Sequence, residues 1–278
     1  MIRHRHGDSF FLVTQDEHAK LSGALAARVG NDRFAIPSPY EDVVRGISMH
    51  DSGWPLHDDS PTLDPQGLPL HVFESPVEIS TTVWTESVRR ASQAGDYCGL
   101  LVSLHVLALS SIAQSHFMAP DKRLTHAREV FELNKFQQNQ IEAQEGFRNR
   151  LHMRTDLPLQ HGLAPRGIGP AEDLLLCNYN LLKAMDRVSL AMLCSEPLFE
   201  TIEGVYPRPG VEPIDLHLRN LGEWTLRIDP WPFDVPRIEL QVPYRQVPAH
   251  AYATVEDFRA VYAKSPALNQ KLTLVRNG

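Results

Sequence analysis

Apolar residues recur every three or four positions through most of the first 195 residues, the period of helices with one buried face. The segments that follow this pattern are 14–30, 37–54, 77–94, 96–117, 121–150 and 171–194. After Pro197 apolar and polar residues alternate, as in "PIDLHLRN" and "RIELQVPYRQV", which predicts strands with one buried face. The pattern therefore predicts a mainly α fold, with a helical body over 1–196 and a smaller β-rich C-terminal part over 197–278.

Two further elements refine this division. The apolar run "SFFLV" (9–13) predicts one strand ahead of the first helix, and a short helix is predicted at 254–264 inside the β-rich part. Thr14 and Glu17 have the spacing of a capping box, which marks the start of the first helix. Pairing of the N-terminal strand with the C-terminal strands would fuse the two parts into one unit.

Composition narrows the class of protein. The 278-residue chain is 42% hydrophobic and 22% charged, an ordinary balance for a folded soluble protein. Its net charge of −7 and the lack of a basic stripe argue against a general nucleic-acid binder. The N-terminus lacks the apolar core of a signal peptide, no run reaches membrane-spanning length, and the three scattered cysteines suit a reducing compartment. We expect a cytoplasmic protein that binds neither nucleic acid nor a membrane. Whether it forms a homo-oligomer is left open by the sequence.

Four of the predicted helices carry a histidine or an aspartate on a face that should be apolar. These residues are His18, His50 with Asp51 beside it, His105 and Asp186. A lone histidine of this kind is more often a satisfied core residue, but an aspartate is almost never buried without a partner or a cation. If the five converge, three imidazoles and two carboxylates would surround a divalent ion, and this donor set favours iron, manganese, zinc or cobalt over magnesium.

The order of these residues resembles the pattern of the HD-domain superfamily of metal-dependent phosphohydrolases, with the last aspartate in "LLKAMDRVSL". The motifs "TQDEHAKLSGALAARVG", "MHDSGWPLHDDSPTLDPQGLP" and "DPWPF" resemble more closely an uncharacterised bacterial family, a domain of unknown function. The HD resemblance covers residues 14–195 and implies an HD-like helical bundle. It implies a first metal held by His18, His50, Asp51 and Asp186. It implies His105 as a further ligand or a substrate-facing residue.

Asp51 and His105 are the predicted catalytic residues of such a site. A bound metal ion lowers the pKa of a coordinated water, and Asp51 can hold the ion with one oxygen and orient the water with the other. An anionic substrate would need further contacts. The candidates are Lys183, which lies three residues before the distant aspartate, and Trp54, His57 and His71 around the proline- and acid-rich loop 55–76. An outward-pointing lysine, a packing tryptophan and a solvated loop would explain these four equally well.

Three functions remain open from the sequence. The leading hypothesis is a metal-dependent phosphohydrolase that acts on a small phosphate ester or nucleotide. The second is an HD-like module that has lost turnover and binds a ligand or a partner. The third is a di-iron oxygenase on the same helical scaffold, which would require ligands beyond the five. Coordination distances between the five residues, and a pocket open to substrate beside them, distinguish the first hypothesis from the second.

Overall fold

The computed structural model describes residues 1–118, 125–153, 170–194 and 200–277. Within them the helices are α1 (Gln15–Ala26), α2 (Tyr40–Ser48), α3 (Pro55–Asp58), α4 (Val77–Ala94), α5 (Asp96–Phe117), α6 (Ala127–Arg150), α7 (Pro170–Leu193) and α8 (Val255–Lys264), with a 3-10 helix at Val72–Glu74. The strands are β1 (Ile2–His6), β2 (Ser9–Val13), β3 (Thr201–Val205), β4 (Ile214–Asn220), β5 (Thr225–Asp229), β6 (Arg237–Pro248) and β7 (Ala267–Arg276).

The prediction of a mainly α fold is wrong, because the strands form one seven-stranded sheet and the fold is α+β. The strand order is β1-β2-β6-β7-β5-β4-β3. Strand β5 pairs with β7 in parallel, and the other neighbouring strands are antiparallel. Strand β2 pairs with β6, which confirms the predicted pairing of the N-terminal strand with the C-terminal strands. The division into two parts at residue 196 stays a prediction.

The sheet is larger than the sequence pattern predicts because two of its strands carry few apolar residues. Strand β1 reads "IRHRH", with one apolar residue, and β3 reads "TIEGV", with a glycine inside it. Both lie at edges of the sheet, where backbone hydrogen bonds to one neighbour hold them in place. An edge strand of this kind lacks the apolar alternation from which strands are recognised.

The helices pack around α5, which contacts α2, α4, α6 and α7. Residues Leu100, Leu101 and Val102 of α5 are fully buried. Contrary to the sequence-based expectation, α5 is long and apolar enough to span a membrane by length and composition, but 61% of its most apolar window is buried inside the structure. A core helix shows the same property, so the finding assigns no membrane. The Ser103 hydroxyl of α5 points inward and donates to Gln140 Oε1 of α6 at 3.0 Å.

The helix bounds agree with the pattern in most places. Helix α1 ends at Ala26 rather than at residue 30, and the bounds also differ around the His-Asp pair. Helices α4 and α5 have the predicted bounds. Helix α2 ends at Ser48, and the residues that follow form tight turns, with Trp54 N–H donating to Asp51 O at 3.1 Å. The loop predicted over 55–76 contains α3 and the 3-10 helix. Residues 121–124 of the helix predicted over 121–150 lie outside the described residues.

Candidate metal centre

His50 and Asp51 lie in the turns between α2 and α3. They were predicted to lie inside a helix over 37–54, but α2 ends before them, at Ser48. The same turn contains Gly53, and helix α4 packs directly against the backbone of this glycine. A Cβ atom on Gly53 would overlap the carbonyl oxygen of Val83, and the Gly53 N–H donates to Ser87 Oγ at 2.9 Å. This close packing fixes the turn against α4 and thereby fixes the His-Asp pair.

All five predicted ligands converge, as the helical faces indicated. His18 Nε2 lies 2.9 Å from Asp186 Oδ1, and His50 Nε2 lies 3.5 Å from Asp51 Oδ2 and 3.7 Å from Asp186 Oδ1. His105 Nε2 lies 3.9 Å from Asp186 Oδ2. Two ligands bound to one ion at about 2.1 Å lie roughly 3.0–3.5 Å from each other. The separations in the cluster are close to this spacing, and all five residues are buried.

The cluster contains two overlapping sets of donor atoms. In the first set, His18, His50 and Asp51 have donor atoms within 4.8 Å of one another. In the second set, His50, His105 and Asp186 meet the same limit. His50 belongs to both sets and is therefore the central residue of the cluster.

The fit to a metal ion is tested by the ring nitrogens of His50. Its Nδ1 donates to the carbonyl oxygen of Ile47 at 2.7 Å, which leaves a lone pair on Nε2. Nε2 is fully buried and has no hydrogen-bond partner. A buried ring nitrogen without a partner is unfavourable, and a cation would be bound by the lone pair that Nε2 carries in the neutral imidazole. Metal-bound histidines characteristically donate their second ring N–H to a carbonyl or carboxylate, as His50 does.

Further hydrogen bonds orient the other ligands. His18 Nδ1 lies 2.5 Å from Ser189 Oγ, and the Ser189 hydroxyl lies 3.1 Å from the carbonyl oxygen of Asp186. In the cluster as it stands, His18 Nε2 donates to Asp186 Oδ1; with the proton on Nδ1, donated to Ser189, Nε2 would instead present a lone pair to a bound cation. The indole N–H of Trp54 donates to Asp51 Oδ1 at 3.1 Å and holds this carboxylate in place. Such supporting contacts set the orientation and basicity of metal ligands.

The two buried carboxylates of the cluster favour a positive charge beside them. Burial raises the pKa of Asp51 and lowers the pKa of His105 to about 3. Burial also opposes ionisation of Asp186, but a hydrogen bond from His18 and the charge interaction with the nearby imidazoles of His50 and His105 hold its pKa well below the usual value. Burial alone would lower the pKa of His50, yet the charges of Asp51 and Asp186 outweigh it and raise that pKa to about 9. A divalent ion would supply the same positive charge and leave the imidazole neutral.

The cluster forms the floor of a pocket of about 1290 Å³, a volume that includes the open mouth. His18, Asp51, His105 and Asp186 line this pocket, whereas His50 lies beneath them. Aromatic and aliphatic side chains from the 3-10 helix, α4, α5 and α7 form most of the walls. The arrangement therefore combines a ligand set with direct access for a small molecule.

One protein-family model matches most of the chain. A family model described as "Protein of unknown function (DUF3891)" matches residues 1–249. The chain belongs to the DUF3891 family. Neither the curated proteins nor the solved structures gave a match. The expected domain-of-unknown-function family is confirmed, and the matched range includes all five clustered residues of this DUF3891 protein. The resemblance to the HD-domain superfamily stays a prediction.

Of the four predicted substrate contacts, Trp54 lines the pocket and Lys183 does not. Trp54 lines the pocket and also fixes Asp51, so both interpretations of it agree with the structure. Lys183 does not line the pocket of this DUF3891 protein. Its Nζ donates to Asn180 Oδ1 at 3.2 Å and lies over the Tyr179 ring. The basic residue of α7 that lines the pocket is Arg187.

The two loop histidines have structural contacts outside the pocket lining. His57 is buried, with Nδ1 3.1 Å from Asp58 Oδ1 and Nε2 3.0 Å from Thr62 Oγ1. His71 caps the 3-10 helix, since its Nδ1 accepts the Phe73 N–H at 3.3 Å. Burial lowers the pKa of His71 to about 4, so this ring remains a neutral acceptor. The loop therefore contributes to the pocket through the residues that His71 caps.

Gln15 and Ser189 are site residues of the DUF3891 protein that sequence reasoning missed. Gln15 lines the pocket three residues before His18, and Ser189 contacts His18 from three residues after Asp186. A spacing of three places each residue on the same helix face as a ligand, so the signal was present. The residue types themselves do not indicate a site, because polar amides and hydroxyls are common on helices.

Proposed function

We propose that this DUF3891 protein is a metal-dependent phosphohydrolase of the HD type that acts on a small phosphate ester or nucleotide. The observation that carries the proposal is the buried Nε2 of His50, which has no hydrogen-bond partner within a cluster of three histidines and two aspartates. An apolar core would not retain such a group, whereas a cation site uses it. The cluster forms the floor of an open pocket, which a catalytic site requires and a purely structural site does not.

The donor set matches iron, manganese, zinc or cobalt better than magnesium. When bound, such an ion would acidify a water ligand and neutralise charge on a phosphoryl oxygen. Asp51 is the candidate for moving the proton of that water. Trp54 holds its Oδ1, while its Oδ2 faces the cluster. Burial raises the pKa of Asp51, which makes its carboxylate a stronger base.

The other lining residues would bind and orient the substrate. His105 is neutral at pH 7, because burial lowers its pKa, and so it would serve as a ligand or an acceptor rather than an acid. Arg187 lines the pocket one residue after Asp186 and can bind a phosphoryl oxygen. The aromatic walls would exclude bulk water from the reacting group.

The test is phosphate release by protein that has been stripped and reloaded with each of the four metals. A panel of phosphomonoesters, phosphodiesters and nucleotides serves as substrates, and inorganic phosphate and alcohol are both quantified. We expect metal-dependent release that falls at least about 100-fold in Asp51→Asn. The matched control is His57→Gln, a buried histidine outside the cluster, which should retain activity within a few-fold.

The remaining hypotheses are outcomes of the same experiment. Stoichiometric metal without release from any substrate would contradict the proposal and favour a ligand-binding module. A redox-active iron pair would favour the oxygenase. That reaction would require further ligands, and in the described ranges the donor sets involve only the five residues of the cluster.

A further inference from the structure

The walls of the pocket are mostly apolar, although hydrolysis of a phosphate ester needs only polar and charged groups around the phosphate. Side chains of three helices and the 3-10 helix form this apolar wall: Val72, Phe73, Trp84, Leu109, Ile112 and Leu190. Phe73 and Ile112 come from different elements and are 59% and 53% exposed. Large apolar side chains that remain exposed beside a pocket indicate a surface that a ligand covers.

The charged groups of the pocket are few. Among its described lining residues, Arg187 is the single arginine, and there is no lysine. The lining carboxylates are Asp51 and Asp186, which belong to the metal cluster. A nucleoside triphosphate carries several negative charges and would leave most of them without a cationic partner in this pocket. One phosphate group, shared between the metal cluster and Arg187, agrees with the charges present.

A further polar side chain lines the pocket, on the helix that carries His18. Gln15 is 2% exposed, lines the pocket and precedes His18 by three residues. Its side-chain Nε2 is buried and has no hydrogen-bond partner. A buried amide donor of this kind is unfavourable in the free protein, and an oxygen acceptor of a bound ligand would satisfy it.

We propose that the substrate of this site is a phosphate monoester of a bulky apolar alcohol or phenol. The phosphate lies at the metal cluster beside Arg187, the apolar group lies against the apolar wall, and Gln15 Nε2 donates to an oxygen of the ester. This inference rests on the proposed function and names its substrate class. In the hydrolysis, the water oxygen forms a bond to phosphorus and the bond from phosphorus to the alcohol oxygen breaks. One proton of the water passes to the alcohol, and the other stays with the phosphate.

The test measures binding of n-alkylphosphonates, whose carbon–phosphorus bond resists hydrolysis. Methyl-, butyl- and hexylphosphonate are titrated into protein loaded with manganese or zinc. Binding is measured by calorimetry and by tryptophan fluorescence, since Trp54 and Trp84 line the pocket. We expect affinity to rise by up to about fourfold for each added methylene group, as the chain covers apolar surface. ATP should bind more weakly than hexylphosphonate.

Two variants locate the effect. In Phe73→Ser/Ile112→Ser the gain in affinity per methylene should fall, whereas methylphosphonate should bind as before. The matched control is Phe131→Ser, which removes an exposed aromatic residue of α6 outside the pocket and should leave the series unchanged. Gln15→Leu should weaken all three phosphonates by a similar factor, because it removes a contact to the head group.

The outcomes separate this inference from the function on which it rests. If methyl- and hexylphosphonate bind equally, or if no phosphonate binds, the substrate class is wrong, even where the loaded protein hydrolyses small phosphate esters. If affinity rises with chain length but no ester of the same alcohols is hydrolysed with any metal, the ligand class stands and the phosphohydrolase function is wrong. Tighter binding of ATP than of hexylphosphonate would also overturn the inference.

Discussion

Replacing Gln15 by leucine is expected to make the protein more stable while weakening its contact with substrate. Burying an amide donor without a partner costs about 1–3 kcal/mol, and the Gln15 Nε2 is such a donor. Leucine removes this donor and fills much of the same space. The backbone N–H of Gln15, which donates to Asp58 Oδ2 at 2.8 Å, is retained. We expect the free energy of unfolding to rise by about 1–2 kcal/mol, and the Tm by roughly 2–4 °C for each kcal/mol.

Stability is measured by urea unfolding of metal-free protein, and binding by phosphonate titration of the metal-loaded protein. Loss of one neutral hydrogen bond should weaken binding roughly 2- to 10-fold. The control is Gln140→Leu, because Gln140 is equally buried but accepts a hydrogen bond from Ser103 Oγ at 3.0 Å. That variant should lose about 1–3 kcal/mol of stability. A similar loss in Gln15→Leu, or unchanged phosphonate affinity, would refute the reasoning.

Three further predictions concern the packing around the site and the core. Gly53→Ala should displace the His-Asp turn, because its Cβ would overlap the Val83 carbonyl, and both metal affinity and Tm should fall. Glu172→Leu should cost about 3–5 kcal/mol in urea unfolding by stranding the buried Arg148, 3.2 Å away, and adding Arg148→Met should recover most of it. Burial lowers the pKa of His71 to about 4, below the ordinary 6.5, so its stabilising contribution is present above pH 6.5 and lost as pH falls toward 4. The protection factors of the amide hydrogens at residues 72–75 of metal-free protein, corrected for the intrinsic exchange rate at each pH, should therefore fall over this window, and less so in His71→Asn.

The convergence of the ligands could be predicted because helical periodicity determines which side chains face inward. His18, His105 and Asp186 interrupt apolar faces, and each of those faces packs in the core. The position of the pocket around α7 could not be predicted in the same way. Lys183 and Arg187 flank Asp186 on one helix, and the packing of neighbouring elements decides which of them lines the pocket.

The extent of the sheet was harder to predict than the site. Strand β1 pairs with β2 through its backbone, and its sequence has a single apolar residue. Strand β2 joins β6, more than two hundred residues away, and the local pattern predicts the strands but not which of the C-terminal strands is the neighbour of β2. The α+β class therefore became evident only from pairings between distant parts of the chain, whereas the presence and approximate position of the long helices followed from local sequence.

The most direct test of the account is the metal content of protein purified without chelators, measured for the wild type, His50→Ala and His57→Ala. We expect a near-stoichiometric transition metal in the wild type and in His57→Ala, which removes a buried histidine outside the cluster. His50→Ala removes the donor common to both ligand sets and should lose the metal, with an affinity at least about 100-fold weaker. No metal in the wild type after reconstitution with iron, manganese, zinc or cobalt, or equal metal in His50→Ala, would contradict the metal centre.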